Sequence, residues 1–138
     1  MKFSAYVNNS EGNHQVLLKT DGKSHSITIP PRPSGFGSSA NGGELLFLAL
    51  ATCYCNDIYR EASKREIKIE RVEVEVKGTF EAEGEPARNV TYRAKVTAQA
   101  SEAEIRELMS HTDRVAEIQN TLRVETPVTL SEIEAVTV

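Results

Sequence analysis

The seven residues Leu45 to Ala51 are all apolar, and the run closes on Thr52-Cys53-Tyr54-Cys55, which holds both cysteines of the chain. A helix made from such a run has no polar face, so it must be covered on every side. The run is about half of what a membrane-spanning helix requires, so the cover has to be protein rather than lipid. A fold with this helix at its centre is therefore the first constraint. The second is chemical. Free cysteine is a good small core residue, and burial alone implies no reactivity. A thiol at the end of an apolar helix, behind a loop rich in Gly and Ser, is also where a reactive sulfur would be sheltered from water.

The other elements follow from local patterns. Phe3 to Val7, His14 to Thr20 and Ser24 to Ile29 read as three strands of a meander. Asn8 to Asn13 is a turn cluster, and Asp21-Gly22 is the strongest hairpin signal in the chain. Pro30, Pro31 and Pro33 stop the sheet, because proline donates no ladder hydrogen bond. Asn41 followed by Glu44 resembles a capping box for a helix from about Gly43 to about Arg65. Its first half should be buried, and its second half, Asn56 to Arg65, should emerge into solvent. Val72, Val74 and Val76 alternate with charged residues, as do Val90, Tyr92, Ala94, Val96 and Ala98 with polar ones, which predicts a long hairpin. Ser101 and Glu104 make a second capping box for a helix through about His111. A short helix around Val115 to Leu122 and a last strand from Pro127 to Val138 complete an α+β domain spanning residues 1–138.

Length and charge narrow the function classes. A chain of 138 residues buries roughly two-thirds of its unfolded surface and needs no disulfide or metal to hold a core. The formal net charge of -4 does not attract phosphate backbones, so no nucleic-acid partner is expected. Met1-Lys2-Phe3 shows no charged and apolar leader pattern, so the chain is expected to be cytoplasmic, with reduced thiols and no membrane partner. Two thiols and three scattered histidines have no metal-ligand spacing, and no cofactor is expected.

Cys53 is the candidate nucleophile. It needs a nearby cation to ionise, and Asp57, one turn on, would oppose ionisation if unpaired. Arg32, stiffened between Pro31 and Pro33, is the best available cation. Arg60 is an alternative, and it also suits an ion pair with Asp57. Glu44 can orient such an arginine or simply cap the helix. His14, at a strand end, is a weaker cation candidate. Cys55 lies two residues from Cys53, so on a helix the two side chains point about 200° apart and a Cys-x-Cys disulfide would need unwinding.

The helix Glu44-Leu45-Leu46-Phe47-Leu48-Ala49-Leu50-Ala51-Thr52-Cys53 resembles the Glu-Leu-Leu helix of the OsmC/Ohr family, the osmotically inducible and organic hydroperoxide resistance proteins. Ile118-Gln119-Asn120-Thr121-Leu122 is similar to the segment that follows the family's second cysteine. The resemblance implies the OsmC-like fold and an intertwined homodimer with sites at the subunit interface. It implies that Cys53 attacks a hydroperoxide and becomes a sulfenic acid, with Glu44 and an arginine in catalytic roles. Three departures stand out. Ala116 occupies the place of the resolving cysteine, so turnover would need an external thiol reductant, or Cys55 after rearrangement. No arginine precedes Arg32; Gly12-Asn13-His14 stands where the family's catalytic arginine lies. Gly43 takes the position where the better-characterised hydroperoxide reductases place their catalytic glutamate, one residue before Glu44. The alternative is a non-catalytic protein that keeps the fold and binds a small apolar ligand at the dimer interface.

Overall fold

The computed structural model describes residues 1–138, which divide into two compact units, Met1–Leu46 and Phe47–Val138. The first contains an antiparallel sheet of β1 (Phe3–Ser10), β2 (Asn13–Thr20) and β3 (Lys23–His25) in the order β1-β2-β3. Two-residue turns set the register: Ser10 faces Asn13, and Thr20 faces Lys23. Asp21 and Gly22 both take positive φ (48° and 81°), the backbone that matches the twist of a tight hairpin. β3 ends at His25, short of the expected Ile29. Pro30 and Pro31 have no N–H to extend a ladder, and Pro31 bridges Ser38 across the loop instead.

Helix α1 (Gly42–Lys64) begins in the first unit and continues through the second. Its capping box is present: Asn41 Oδ1 accepts from the Glu44 N–H at 2.8 Å, and Glu44 Oε1 accepts from the Asn41 N–H at 3.0 Å. The second unit adds the hairpin β4 (Lys68–Thr79) and β5 (Arg88–Gln99), then α2 (Glu102–Val115) and α3 (Glu117–Arg123). The hairpin is two-sided, as the alternation requires. Val72, Val74, Tyr92, Ala94 and Val96 pack on the core of Tyr54, Ile58, Ala62 and Leu108. Glu75 and Arg93 pair across the solvent face at 2.9 Å. Phe47 lies so close over β4 that a Cβ on Gly78 would meet its ring at 2.6 Å, so glycine is required there. The Ser101–Glu104 capping box opens α2 as expected.

Two further expectations are corrected. The first concerns α1, whose burial is the reverse of the reading. The buried residues are Leu50, Tyr54, Asp57, Ile58, Glu61 and Ala62, mostly in the half expected to emerge, while Leu48 is 58% exposed. The hairpin and α2 cover the C-terminal half, and its polar side chains are buried because they satisfy one another. The apolar half has too little cover in a single chain. The second concerns the last strand. Residues 126–138 form none, and Val128, Leu130, Ile133 and Val136 are exposed. A strand exists only when paired, and within the single chain this segment finds no partner edge. No helix is long and apolar enough to cross a membrane.

Candidate functional site

The site is built on one face of α1, where Cys53, Asp57, Arg60, Glu61 and Lys64 recur at helical spacing. α3 closes it from the other side. The two helices are fastened by Gln119, buried at 4% exposure, whose Nε2 donates to the Leu50 carbonyl at 3.0 Å. A tyrosine pair fixes α2: Tyr54 donates to the Met109 carbonyl at 2.9 Å and meets Tyr92 edge-on, and the Tyr92 hydroxyl donates to Asp113. Arg123 of α3 then grips Asp113 at 2.7 Å. α3 starts at Glu117 with no side-chain cap from Ala116, so its first N–H groups are left to other partners.

This arrangement brings Glu117 and Ile118 to the sulfur. Cys53 Sγ lies 3.5 Å from Asp57 Oδ2 and 3.9 Å from Glu117 Oε2, and the Ile118 N–H donates to it. Burial, and then the charges of Asp57 and Glu117, push the Cys53 thiol above its ordinary 9.0 despite the Ile118 N–H. Burial also pushes the Asp57 carboxyl up to about 6, helped by Glu117 beside it and opposed by Arg60. Its hydrogen bond with Asp57 holds Glu117 below the usual carboxylate range. Two carboxyls so close favour one shared proton over two charges.

Arg60 neutralises the cluster. Its Nη1 lies 3.0 Å from Asp57 and 2.7 Å from Glu117, and its Nε lies 2.8 Å from Glu61. Glu61 also takes Lys64 at 3.0 Å and His111 at 3.0 Å. Hydrogen bonds from Arg60, Lys64 and His111 pull Glu61 down to about 2. Cys53, Asp57 and Glu117 place one donor atom each within 4.8 Å of one another, close enough for a cation. The chain's own guanidinium already supplies that charge.

The predicted site residues fall as follows. Cys53 is half-buried and free, and Cys55 is free too. They face different neighbours, as the helical offset requires: Cys53 faces α3, whereas Cys55 lines a cavity of about 250 Å³ with Val74 of β4. Glu44 caps α1. Arg32 donates from Nε to the Ser38 carbonyl at 3.4 Å, inside the N-terminal loop. His14 lies 3.0 Å from Asn9, whose side chain also brackets Gly37 through its N–H and carbonyl. Arg60 pairs with Asp57, the role its spacing suits. Ala116 is fully buried and directly precedes the two residues that touch the sulfur. Glu117 is the member that sequence reasoning missed. Its only signal was adjacency to Ala116, the position set opposite Cys53.

Residues 35–131 match the OsmC-like protein family. A search of curated proteins found no match. Among solved structures, an OsmC-like protein from Mycoplasma pneumoniae is similar at 20% identity and a TM-score of 0.60, over 91% of this chain and 88% of that one. An organic hydroperoxide resistance protein OsmC from Legionella pneumophila, also described as a predicted redox protein, is similar at 21% identity and a TM-score of 0.53, over 86% and 89%. An organic hydroperoxide resistance protein from Elizabethkingia anophelis is similar at 17% identity and a TM-score of 0.55, over 91% and 93%. At these identities the likeness is one of fold.

Proposed function

This chain belongs to the OsmC-like protein family, and on that premise we propose that it is a cytoplasmic redox-stress protein that reduces organic hydroperoxides through the thiol of Cys53. One observation carries the reading: Cys53 is a free, half-buried thiol in direct reach of groups that can take and return a proton. The sulfur attacks the distal peroxide oxygen, the O–O bond breaks, and a sulfenic acid and an alcohol result. Ala116 offers no second thiol, and Cys55 lies on another face of α1. An external thiol therefore completes the cycle. Arg32 and Glu44 are assigned supporting parts, to be read from the effect of Arg32→Ala and Glu44→Gln on the first oxidation.

The active form is proposed to be a homodimer. Leu48, half-exposed Phe47 and the apolar tail from Val128 to Val136 leave a surface that a second copy can cover.

The test is stoichiometric oxidation by cumene hydroperoxide, followed by trapping of the sulfenic acid and mass spectrometry. Wild type and Cys55→Ser should acquire one trapped adduct on Cys53, and Cys53→Ser none. Equal loss in both mutants would instead favour a Cys-x-Cys mechanism. Ala116→Cys should restore an internal disulfide to Cys53.

A second reading has its own support: burial and two carboxyls hold the Cys53 thiol up, the opposite of an ionised nucleophile. On that reading the protein binds a small apolar ligand at the dimer interface and performs no redox chemistry. Wild type would then consume no hydroperoxide.

A further inference from the structure

A peroxidatic thiol is ordinarily activated by a cation that stabilises the thiolate. The groups touching this sulfur are of the other kind. Asp57 Oδ2 at 3.5 Å and Glu117 Oε2 at 3.9 Å are acceptors aimed at the S–H, and only the Ile118 N–H favours the anion. Arg60, the nearest guanidinium in this cluster, is engaged with the carboxyls. Such a site disfavours a standing thiolate and is suited to removing the proton during the reaction.

Resting on the hydroperoxide reading above, we propose that Asp57 is a catalytic residue that accepts the Cys53 proton as the sulfur attacks and returns it to the leaving oxygen, with Glu117 and Arg60 as positioning residues. The step balances within the site. The S–H proton moves to Asp57 Oδ2 while the sulfur electron pair forms a bond to the distal, hydroxyl-bearing oxygen. The O–O bond breaks, the sulfur is oxidised to a sulfenic acid, and the peroxide is reduced to an alkoxide. The alkoxide takes the proton from Asp57 and leaves as the alcohol. The carboxylate is regenerated.

Arg60 bridges both carboxyls, so Asp57 keeps one oxygen for the guanidinium and one for the sulfur. The charged and titratable groups facing Asp57 are Cys53 and Arg60 from α1 and Glu117 from α3. Glu61, held by Lys64 and by His111 of α2, joins through Arg60. The base form of Asp57 appears as pH rises through about 6, while unassisted ionisation of Cys53 would wait until above 9.0.

Charge and proton transfer make opposite predictions for Asp57→Asn. If Asp57 acted only by its charge, its removal would ease thiol ionisation and speed every reaction of Cys53. As a proton acceptor, its removal slows them. The experiment measures two rates from pH 5 to 9 on the Cys55→Ser background: sulfenic acid formation with cumene hydroperoxide, and alkylation by iodoacetamide. Wild type should rise with an inflection near 6 in both. Asp57→Asn should fall by roughly 10²-fold at pH 7 and rise only with the thiol's own ionisation. Glu117→Gln, at an exposed position, should lower the inflection, because it removes a group that holds the Asp57 proton. Faster or unchanged alkylation in Asp57→Asn, or an inflection that Glu117→Gln does not move, overturns the proposal. Wild type that is inert to hydroperoxide but whose alkylation is slowed by Asp57→Asn overturns the hydroperoxide reading and leaves the proton acceptor standing.

Discussion

Two stretches of the same helix meet opposite fates. Phe47 to Thr52 is apolar apart from its last residue, yet Leu48 is 58% exposed. Cys53 to Lys64 carries two acids and two bases, yet Asp57 and Glu61 are 7% and 4% exposed. Hydrophobicity sets what burial is worth, at about 25 cal/mol per Å² of apolar surface, but supplies no partner. Charge sets what burial costs: Arg60, Lys64 and His111 meet that cost for Glu61 with direct contacts, and Arg60 offsets part of it for Asp57. The polar stretch is closed within one chain, whereas the apolar stretch is left open. On the proposed homodimer reading, the difference separates a chain's own core from the surface that a second copy would cover.

The largest expected effect tests that contrast directly. Ile58 is fully buried in the core cluster, and Ile58→Ala should cost about 2–5 kcal/mol through lost transfer and an unfilled cavity. Leu48→Glu should leave the secondary structure intact and weaken self-association, because an unpaired charge would enter the proposed interface. Urea unfolding reads the first, and sedimentation over a range of concentrations reads the second. The contrast breaks if Leu48→Glu destabilises the chain as much as Ile58→Ala does. It breaks equally if wild type sediments as a folded monomer at low micromolar concentration.

A smaller effect separates the members of the polar stretch by pH. Glu61 falls to about 2 on folding, so between about 2 and its ordinary 4.5 the unfolded chain binds more protons. Stability therefore rises with pH across that window, and the contribution is lost as pH falls through about 2. Asp57 behaves oppositely. Its folded value of about 6 lies above its ordinary 3.8, so the folded chain binds more protons in between, and stability falls as pH rises through that window. Glu61→Gln should flatten the lower limb and Asp57→Asn the upper one. Thermal unfolding from pH 2 to 7 distinguishes them. An upper limb that survives Asp57→Asn would mean that another group carries the cluster's proton.

These contrasts also show what the sequence made legible. Both capping boxes, the Asp21-Gly22 turn and the long hairpin are local, and a few neighbouring residues determine each. The Cys53–Asp57 and Asp57–Arg60 contacts are likewise one turn apart and could be read from spacing. Glu117 could not, since it reaches the sulfur only because Gln119 and Arg123 dock α3, and no short-range pattern encodes that docking. The burial of α1 was misread for the same reason: an all-apolar stretch states a need for cover without stating where cover comes from. The expected strand at 127–138 failed alike. Its apolar residues suit a sheet, but within one chain it finds no edge to pair with.

The smallest effect lies where the polar stretch ends. α1 closes with a two-bond cap: the Ile67 N–H donates to the Ala62 carbonyl at 3.0 Å, and the Glu66 N–H to the Ser63 carbonyl at 3.2 Å. Ile67 packs on the core that contains Ala62, which adds the apolar contact usual at such a cap. The geometry requires a left-handed residue, and Glu66 supplies it at φ 55°. A side chain there is strained, glycine is not, and the exposed Glu66 carboxylate sits beside the negative end of the helix dipole. Glycine also costs more entropy on folding, which takes back part of the gain. Glu66→Gly should therefore stabilise the fold by about 0.5–1 kcal/mol. The change should appear as a higher urea midpoint with the slope unchanged. Because it leaves Cys53 and its neighbours untouched, the rate of Cys53 alkylation should stay the same. A gain in stability accompanied by a changed alkylation rate would mean that the end of α1 and the sulfur site are coupled, and that the polar stretch works as one unit rather than as a site with a separate stop.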